Sequence, residues 1–255
     1  IVLNSGSNGN AVYVESASTG SAVLLDCGLS QRAIDSRLRR HERSGSAVRA
    51  VVLTHEHSDH VKGVHGFVKK YNTPLHATRG TFHAMSTLGW GVDFRPLRAA
   101  EPMSVDDISI HAFPKSHDAE EPVFLKVSTG GKTFLYVTDL GVPAEDLATE
   151  LSTADALMIE SNYDPDMLWN GGYPTYLKTR IDGPFGHLSN AQAVSFLEAH
   201  ANGRLKVLIL GHLSRNNNTP RHVEAAVQDL MDRRHDFRPR VLIASRDSAS
   251  DVILL

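Results

Sequence analysis

The chain has 255 residues, of which 41% are hydrophobic, and its formal net charge is -3. This length supports one large α/β domain with a buried core, or two small ones, and the near-neutral charge gives no support for a strongly basic nucleic-acid binder. The single cysteine, Cys27, excludes an intrachain disulfide and favours a reducing compartment. The sequence shows neither a basic, signal-like start nor an apolar run of about 20 residues. We therefore expect a cytoplasmic protein without membrane contact.

Short apolar runs alternate with amphipathic stretches along the chain. The apolar runs predict strands at Val12–Glu15, Ala22–Asp26, Ala50–Leu53, Ile108–Phe113, Val123–Ser128, Thr133–Val137, Ala156–Glu160, Lys206–Leu210, Val241–Ala244 and Val252–Leu255. The amphipathic stretches and their capping residues predict helices at Gln31–Arg43, Val61–Tyr71 and Asn190–His200, and a further helix that Thr219 and Pro220 open. The paired glycines Gly130 and Gly131 indicate a hairpin. This order predicts an α/β fold with two sheets packed face to face and helices outside.

A cluster of possible metal ligands directly follows the strand predicted at Ala50–Leu53. It contains His55, His57, Asp59 and His60. An extended chain brings His55 and His57 to the same side, while Asp59 and His60 turn back from the following loop or helix start. Imidazole nitrogens and carboxylate oxygens suit Zn, Mn and Fe, and the cluster lacks the thiolates of a structural zinc site.

The pattern His55-x-His57-x-Asp59-His60 resembles the signature motif of metallo-β-lactamase-fold hydrolases. The other motifs of that family occur in the expected order, each at or after the end of a predicted strand: Asp26 upstream, then His117, Asp139 and His212. The resemblance covers essentially the whole chain. It implies an αββα sandwich of two mixed sheets in a single domain over residues 1–255.

The resemblance also implies two divalent metal ions, Zn or Mn, and a ligand set for each. One ion is expected on His55, His57 and His117, the second on Asp59, His60 and His212, with Asp139 bridging both. In the family, the position of Asp26 is a structural acid that supports the metal loop. A metal-bound hydroxide, which Asp59 orients, is the expected nucleophile.

Four further segments resemble the YycJ/WalJ branch of this fold: Ser5–Asn10, Glu160–Asp164, Gly186–Asn190 and Gly211–Asn218. That branch is associated with 5′-to-3′ exonuclease activity on DNA, so DNA is the expected substrate. His187 is a candidate general acid for the leaving group, or alternatively a metal ligand. Small loop residues with backbone N–H groups and basic side chains suit phosphate contacts. The candidate substrate contacts are Ser7, Asn10, Asn162, Lys178, Arg180, Ser189 and Asn218.

Two alternatives to a DNA exonuclease remain open. The first is a phosphodiesterase of the same fold that acts on cyclic nucleotides or other small esters, because fold alone does not choose the substrate. The second is a metal-binding regulatory protein without turnover. Loss of ligand residues would indicate the second alternative, and every ligand position is intact. The sequence leaves protein partners, oligomeric state and the identity of the metal open.

Overall fold

The apolar runs form strands in a computed structural model that describes residues 1–85, 91–99 and 101–255. The chain divides into two compact units. The first unit consists of Ile1–Pro114, Ala119–Gly131 and Ser245–Leu254. The second consists of Lys115–Asp118, Lys132–Ala244 and Leu255. The single domain expected over residues 1–255 stays a prediction.

A mixed sheet organises the first unit, with neighbouring strands in chain order. Its strands are β1 (Val2–Asn4), β2 (Ala11–Glu15), β3 (Ala22–Leu25), β4 (Val48–Val52), β5 (Leu75–Ala77) and β6 (Phe94–Pro96). The strands from β1 to β3 are antiparallel, and those from β3 to β6 are parallel. An antiparallel group in the same unit contains β7 (Met103–Val105), β8 (Ile108–Pro114) and β9 (Val123–Thr129).

Helices of the first unit pack against this mixed sheet. They are α1 (Gln31–Arg39), α2 (Ser58–Val61), α3 (Val64–Tyr71) and α4 (Arg79–Ala84), with a short 3₁₀ turn at Gly45–Ala47. The hydroxyl of Ser30 accepts a hydrogen bond from the Ala33 amide and so caps α1. Ile34 of α1 and Phe67 of α3 are fully buried in one apolar cluster with Leu24 and Val51 of the sheet. This core supports the strand ends that carry the polar side chains.

Parallel strands and crossing helices make up the second unit. The strands β10 (Lys132–Val137), β11 (Ala156–Glu160), β12 (Val207–Gly211) and β13 (Arg240–Ile243) pair in that order. The helices are α5 (Glu145–Leu151), α6 (Pro165–Asn170), α7 (Thr175–Ile181), α8 (Asn190–His200) and α9 (Pro220–Arg233). Parallel neighbours need long connections, which these helices provide. Because the four strands are parallel, the carboxyl ends of these strands share one edge of the sheet.

Most of the predicted elements lie within two or three residues of the observed ones. The helix predicted at Gln31–Arg43 ends at Arg39, because Glu42 adopts a positive φ of 57° and the Arg43 amide turns back to the Leu38 carbonyl. The helix predicted at Val61–Tyr71 is interrupted at Gly63, which caps α3.

One predicted strand is wrong, and several short elements were missed. Val252–Leu255 forms no strand: most of its residues are exposed, so β propensity has no surface to pack against. The missed elements include β5, β6, β7, α4, α5, α6 and α7. Strands of three residues and helices of about two turns are too short to show a clear period in sequence. Among the described residues, every helix is too short or too polar to cross a membrane.

Phe67 provides a test of the first unit's core. Its side chain is fully buried, and its ring centroid lies 4.9 Å from that of Tyr71. We expect Phe67→Ala to lower the free energy of unfolding by about 3–5 kcal/mol, because it leaves a cavity. Urea denaturation followed by circular dichroism measures the change. Val252→Ala, at a 41% exposed position, is the matched control and should change stability by less than about 0.5 kcal/mol. Equal stabilities of the two variants would contradict this packing.

Candidate metal centre

Three polar residues at the carboxyl ends of parallel strands, one or two residues beyond the last strand residue, have left-handed backbones. They are Asp26 after β3, Asp139 two residues after β10, and His212 after β12, with φ of 55°, 54° and 53°. A left-handed conformation costs an ordinary residue about 1–2 kcal/mol, although Asp and His tolerate it better than most. Such strain concentrates at functional sites, where the surrounding structure holds it in place. Each of these residues has less than a tenth of its surface exposed.

In the first unit, Asp26 organises the loop after β4. One carboxylate oxygen accepts the Thr54 amide at 2.8 Å, and the other lies 2.7 Å from Nδ1 of His60. The Thr54 hydroxyl also lies 2.9 Å from Nδ1 of His55. The imidazole rings of His55 and His60 are 4.0 Å apart between centroids. The structural role expected for Asp26 therefore has a direct physical basis, since its carboxylate orients one candidate ligand and fixes the hydroxyl beside another.

The short helix α2 brings the remaining candidates of this loop together. His57 lies immediately before α2, and Asp59 and His60 lie within it, as expected for a turn after an extended chain. The ring centroids of His55 and His57 are 4.7 Å apart. Gly28 permits this close packing: a Cβ atom there would lie only 1.6 Å from the Asp59 carbonyl oxygen. The loop thus depends on a glycine that neither motif nor composition identified.

In the second unit, the side chains at the ends of three parallel strands converge. Nδ1 of His212 lies 3.4 Å from Oδ1 of Asp139 and 3.8 Å from Oε1 of Glu160. Nδ1 of His187 lies 2.7 Å from the same Glu160 oxygen and 3.8 Å from Asp139. Nε2 of His117 lies 3.9 Å from Oδ1 of Asp139. The structure therefore brings together the predicted His117, Asp139, His187 and His212 of this unit.

Glu160 belongs to this cluster, although the sequence placed it only in the segment Glu160–Asp164 and gave it no role. Its side chain is completely buried, and its second oxygen accepts the Leu140 amide at 2.6 Å. Burial raises the pKa of this carboxyl, but His187 and His212 outweigh burial, and the net pKa lies below its usual value. The ionised carboxylate of Glu160 therefore orients the His187 ring. The signal available in the sequence was an acidic residue at the end of the otherwise apolar strand Ala156–Glu160.

The histidines present donor chemistry that fits divalent cations. Nδ1 of His117 lies 3.2 Å from the Gly186 carbonyl oxygen, and Nδ1 of His60 faces Asp26. Ligating histidines are usually oriented by such a bond on the ring nitrogen that does not hold the metal. Burial lowers the pKa of His117 to about 4, which keeps its imidazole neutral, as metal binding requires. Glu160, His187 and His212 also offer ligand atoms that all lie within 4.8 Å of one another.

Several predicted substrate contacts are buried and have structural partners. Nδ2 of Asn10 lies 3.1 Å from Oδ2 of Asp59, and Asn162 donates to the His212 carbonyl at 2.8 Å. Ser189 caps α8 in a reciprocal capping box with Gln192. Asn218 donates to the carbonyls of Ser161 and Asn162 at 2.8 and 3.0 Å. These contacts position the loops, and substrate contact by Asn10, Asn162, Ser189 and Asn218 stays a prediction.

The other predicted substrate contacts reach the surface. Ser7 is exposed in the loop after β1. Lys178 donates to the Trp169 carbonyl at 2.7 Å, and Nε of Arg180 donates to Oδ2 of Asp118 at 2.7 Å. Both cations therefore have protein partners already. Their contact with phosphate stays a prediction, as does that of Ser7.

Asn218 tests whether these buried amides are structural. We expect Asn218→Ala to lower the free energy of unfolding by about 3 kcal/mol, because it removes buried hydrogen bonds to the Ser161 carbonyl and to the Asn190 side chain. Asn216→Ala is the matched control: its exposed amide makes one hydrogen bond, to the Tyr173 hydroxyl at 3.0 Å. The control should cost less than about 1 kcal/mol. Denaturant melts compare the two, and a smaller cost for Asn218→Ala than for Asn216→Ala would refute the structural role.

Comparison with known proteins places this geometry in a family. Residues 21–212 match the family described as a Beta-lactamase superfamily domain. The chain is 36% identical over 222 residues to "Exodeoxyribonuclease WalJ" of Streptococcus pneumoniae serotype 2 (strain D39 / NCTC 7466), covering 85% of this chain and 82% of that protein. It is 31% identical to "Exodeoxyribonuclease YycJ" of Bacillus anthracis, covering 91% of this chain and 88% of that protein.

A solved structure shows the same fold at low sequence identity. The metallo-β-lactamase fold protein YhfI from Bacillus subtilis matches with a TM-score of 0.70 and 16% identity, covering 98% of this chain and 95% of that one. The expected fold class, α/β with two mixed sheets and helices, is confirmed. The ordered motifs, the fold and these relatives agree: the chain belongs to the β-lactamase superfamily, in the branch of WalJ and YycJ, and is a metal-dependent hydrolase.

Proposed function

We propose that this protein is a 5′-to-3′ DNA exonuclease that hydrolyses phosphodiester bonds with two divalent metal ions, Zn or Mn. The observation that carries the proposal is its identity of 36% and 31% to relatives named exodeoxyribonuclease, across most of their lengths. A nucleic acid substrate follows from those names. The direction of digestion and the choice of DNA rest on the resemblance to the YycJ/WalJ branch.

The ligand assignment rests on the order of the motifs. In this proposal, one ion is held by His55, His57 and His117, and the other by Asp59, His60 and His212, with Asp139 shared. The support within each unit is the set of imidazole and carboxylate donors, oriented by buried partners such as Asp26. When bound, the ions supply Lewis acidity and an activated water nucleophile at neutral pH.

The side chains of the chain itself orient the nucleophile and donate the proton to the leaving group in this proposal. Asp59 orients the attacking water, and the Asn10 amide, 3.1 Å away, holds the Asp59 carboxylate in place. His187 donates a proton to the leaving oxygen. Because Nδ1 of His187 is bonded to Glu160 at 2.7 Å, Nε2 is the atom that delivers the proton. The His187 side chain is 18% exposed, which gives a substrate access to it.

The first experiment separates the exonuclease from a small-molecule phosphodiesterase. Metal-depleted protein is assayed on end-labelled single-stranded, duplex and 5′-phosphorylated DNA, with Mn, Zn or Mg added back. We expect stepwise release of nucleotides from the 5′ end that requires metal. His57→Ala should lower the rate at least about 100-fold, since it removes a ligand, whereas His200→Ala, an exposed histidine of α8, should not.

Other outcomes of this assay would overturn specific parts of the proposal. Hydrolysis of a chromogenic phosphodiester without digestion of any DNA would show a small-ester phosphodiesterase. Release from the 3′ end would reverse the polarity. Metal binding with neither activity would leave the regulatory alternative.

Asp26 should control metal affinity through His60. We expect Asp26→Asn to weaken binding of Zn about 10- to 100-fold. The neutral amide oxygen accepts a weaker hydrogen bond from Nδ1 of His60 than the carboxylate does. Asparagine tolerates the left-handed backbone at this position, so the fold should persist. Competition with a chromophoric chelator measures the affinity. Asp107→Asn, where an exposed carboxylate accepts bonds from Ser16, Ser18 and Thr19, is the control. Equal zinc affinities in the two variants would disprove the positioning role.

A further inference from the structure

Three large aromatic side chains are exposed in the second unit. Trp169 of α6 is 45% exposed, Tyr176 in the first turn of α7 is 76% exposed, and Phe185 after α7 is 61% exposed. We call these residues the α7 aromatic group. Burying an aromatic ring is strongly favourable, so several exposed rings in one short stretch are a recognised sign of a binding surface. The site described above does not use them.

Hydrogen bonds hold the α7 aromatic group on a fixed frame. The Trp169 indole N–H donates to Oδ2 of Asp182, the residue that ends α7, at 3.1 Å. The Tyr163 hydroxyl donates to the other oxygen of the same carboxylate. The loop that carries Phe185 closes back on α7, since the His187 amide donates to the Ile181 carbonyl at 2.9 Å. The rings are therefore presented by an ordered frame with little conformational freedom left to lose on binding.

The same frame connects directly to the candidate ligand His117. The carbonyl of Phe185 accepts the Asp118 amide at 3.1 Å, and the carbonyl of the next residue, Gly186, lies 3.2 Å from Nδ1 of His117. Arg180, one turn beyond Tyr176 on the same face of α7, is bonded to the carboxylate of Asp118. Phe185, with its exposed ring, thus immediately precedes Gly186, whose carbonyl orients the candidate metal ligand His117.

We propose that the α7 aromatic group is a stacking platform for the unpaired bases of single-stranded DNA that enters the hydrolytic site beside His117. This inference rests on the proposed function and specifies its substrate. Exposed aromatic rings bind single strands because every unpaired base presents a flat π face, whereas a duplex keeps these faces stacked inside. The platform therefore selects single-stranded ends and tolerates any base sequence.

The charges around the platform favour stacking over phosphate contacts as the main source of affinity. The chain carries a net charge of -3, and the nearby cations Lys178 and Arg180 are engaged with the Trp169 carbonyl and with Asp118. Electrostatic attraction to the phosphate backbone is consequently weak. Aromatic residues are also enriched at protein interfaces, but the loop that carries Phe185 leads directly to the candidate ligand His117, which favours the substrate as the occupant.

Binding to abasic DNA separates stacking from phosphate contacts. The metal-loaded full chain is titrated with nuclease-resistant phosphorothioate oligo(dT) and with a phosphorothioate abasic strand of the same length. A Trp90→Phe background leaves Trp169 as the fluorescent reporter. We expect oligo(dT) to bind about tenfold more tightly than the abasic strand and to quench Trp169 fluorescence.

Matched variants assign this preference to the rings. Tyr176→Ala combined with Phe185→Ala should remove the preference for oligo(dT), and should raise KM for single-stranded DNA about tenfold without changing hydrolysis of a small phosphodiester. Tyr176→Phe combined with Phe185→Tyr keeps both rings and should retain the preference. Leu254→Ala, an exposed apolar residue near the chain end, should have no effect.

The outcomes distinguish failure of the platform from failure of the proposed function. Equal binding of the two strands by a protein that digests DNA would overturn the platform and leave the exonuclease intact. Ring-dependent preference for oligo(dT) without digestion would support the platform while the exonuclease proposal fails. Loss of the preference in the double variant Tyr176→Phe with Phe185→Tyr, which keeps both rings, would also overturn the stacking mechanism.

Discussion

Burying a carboxylate without a partner is too costly for a folded protein, and this constraint shapes both units. Asp26 in the first unit and Glu160 in the second are completely buried. Each is compensated by a backbone amide and by a histidine at 2.7 Å, His60 and His187 respectively. The acids therefore need the histidines for their own burial, and the histidines acquire a fixed ring orientation in return. Removing either partner affects stability and site geometry together.

The backbone at the strand ends adds a second constraint. The left-handed residues at these ends require energy that the surrounding hydrogen bonds must offset. Asp26 is held by Thr54, and the His212 carbonyl accepts the Asn162 amide. Polar loop residues such as Thr54 and Asn162, which sequence alone suggests are surface groups, consequently form hydrogen bonds in the protein interior. The parallel strands place such residues at one edge in each unit, which concentrates the chemistry there.

The sequence predicted the parts of this protein that follow from short-range chemistry. Apolar runs gave most strands, and the spacing from His55 to His60 gave the ligand loop, because motif and residue type suffice for both. Burial of polar side chains was not predictable in the same way. Glu160 was given no role, and the hydrogen bonds by which Asn218 joins two loops could not be predicted. Whether a polar residue faces solvent or carbonyl groups depends on contacts that are distant in sequence.

The left-handed conformation at Asp26, Asp139 and His212 also limits how this chain can evolve. Few residue types accept that conformation, chiefly glycine, asparagine, aspartate and histidine. The codons of aspartate and histidine each become an asparagine codon by a single base change. Asparagine preserves the backbone but is a much poorer metal donor. With the proposed metal centre, a lineage loses hydrolysis in one step at Asp139 or His212 while it keeps the fold, so pseudoenzymes are within easy mutational reach of this architecture.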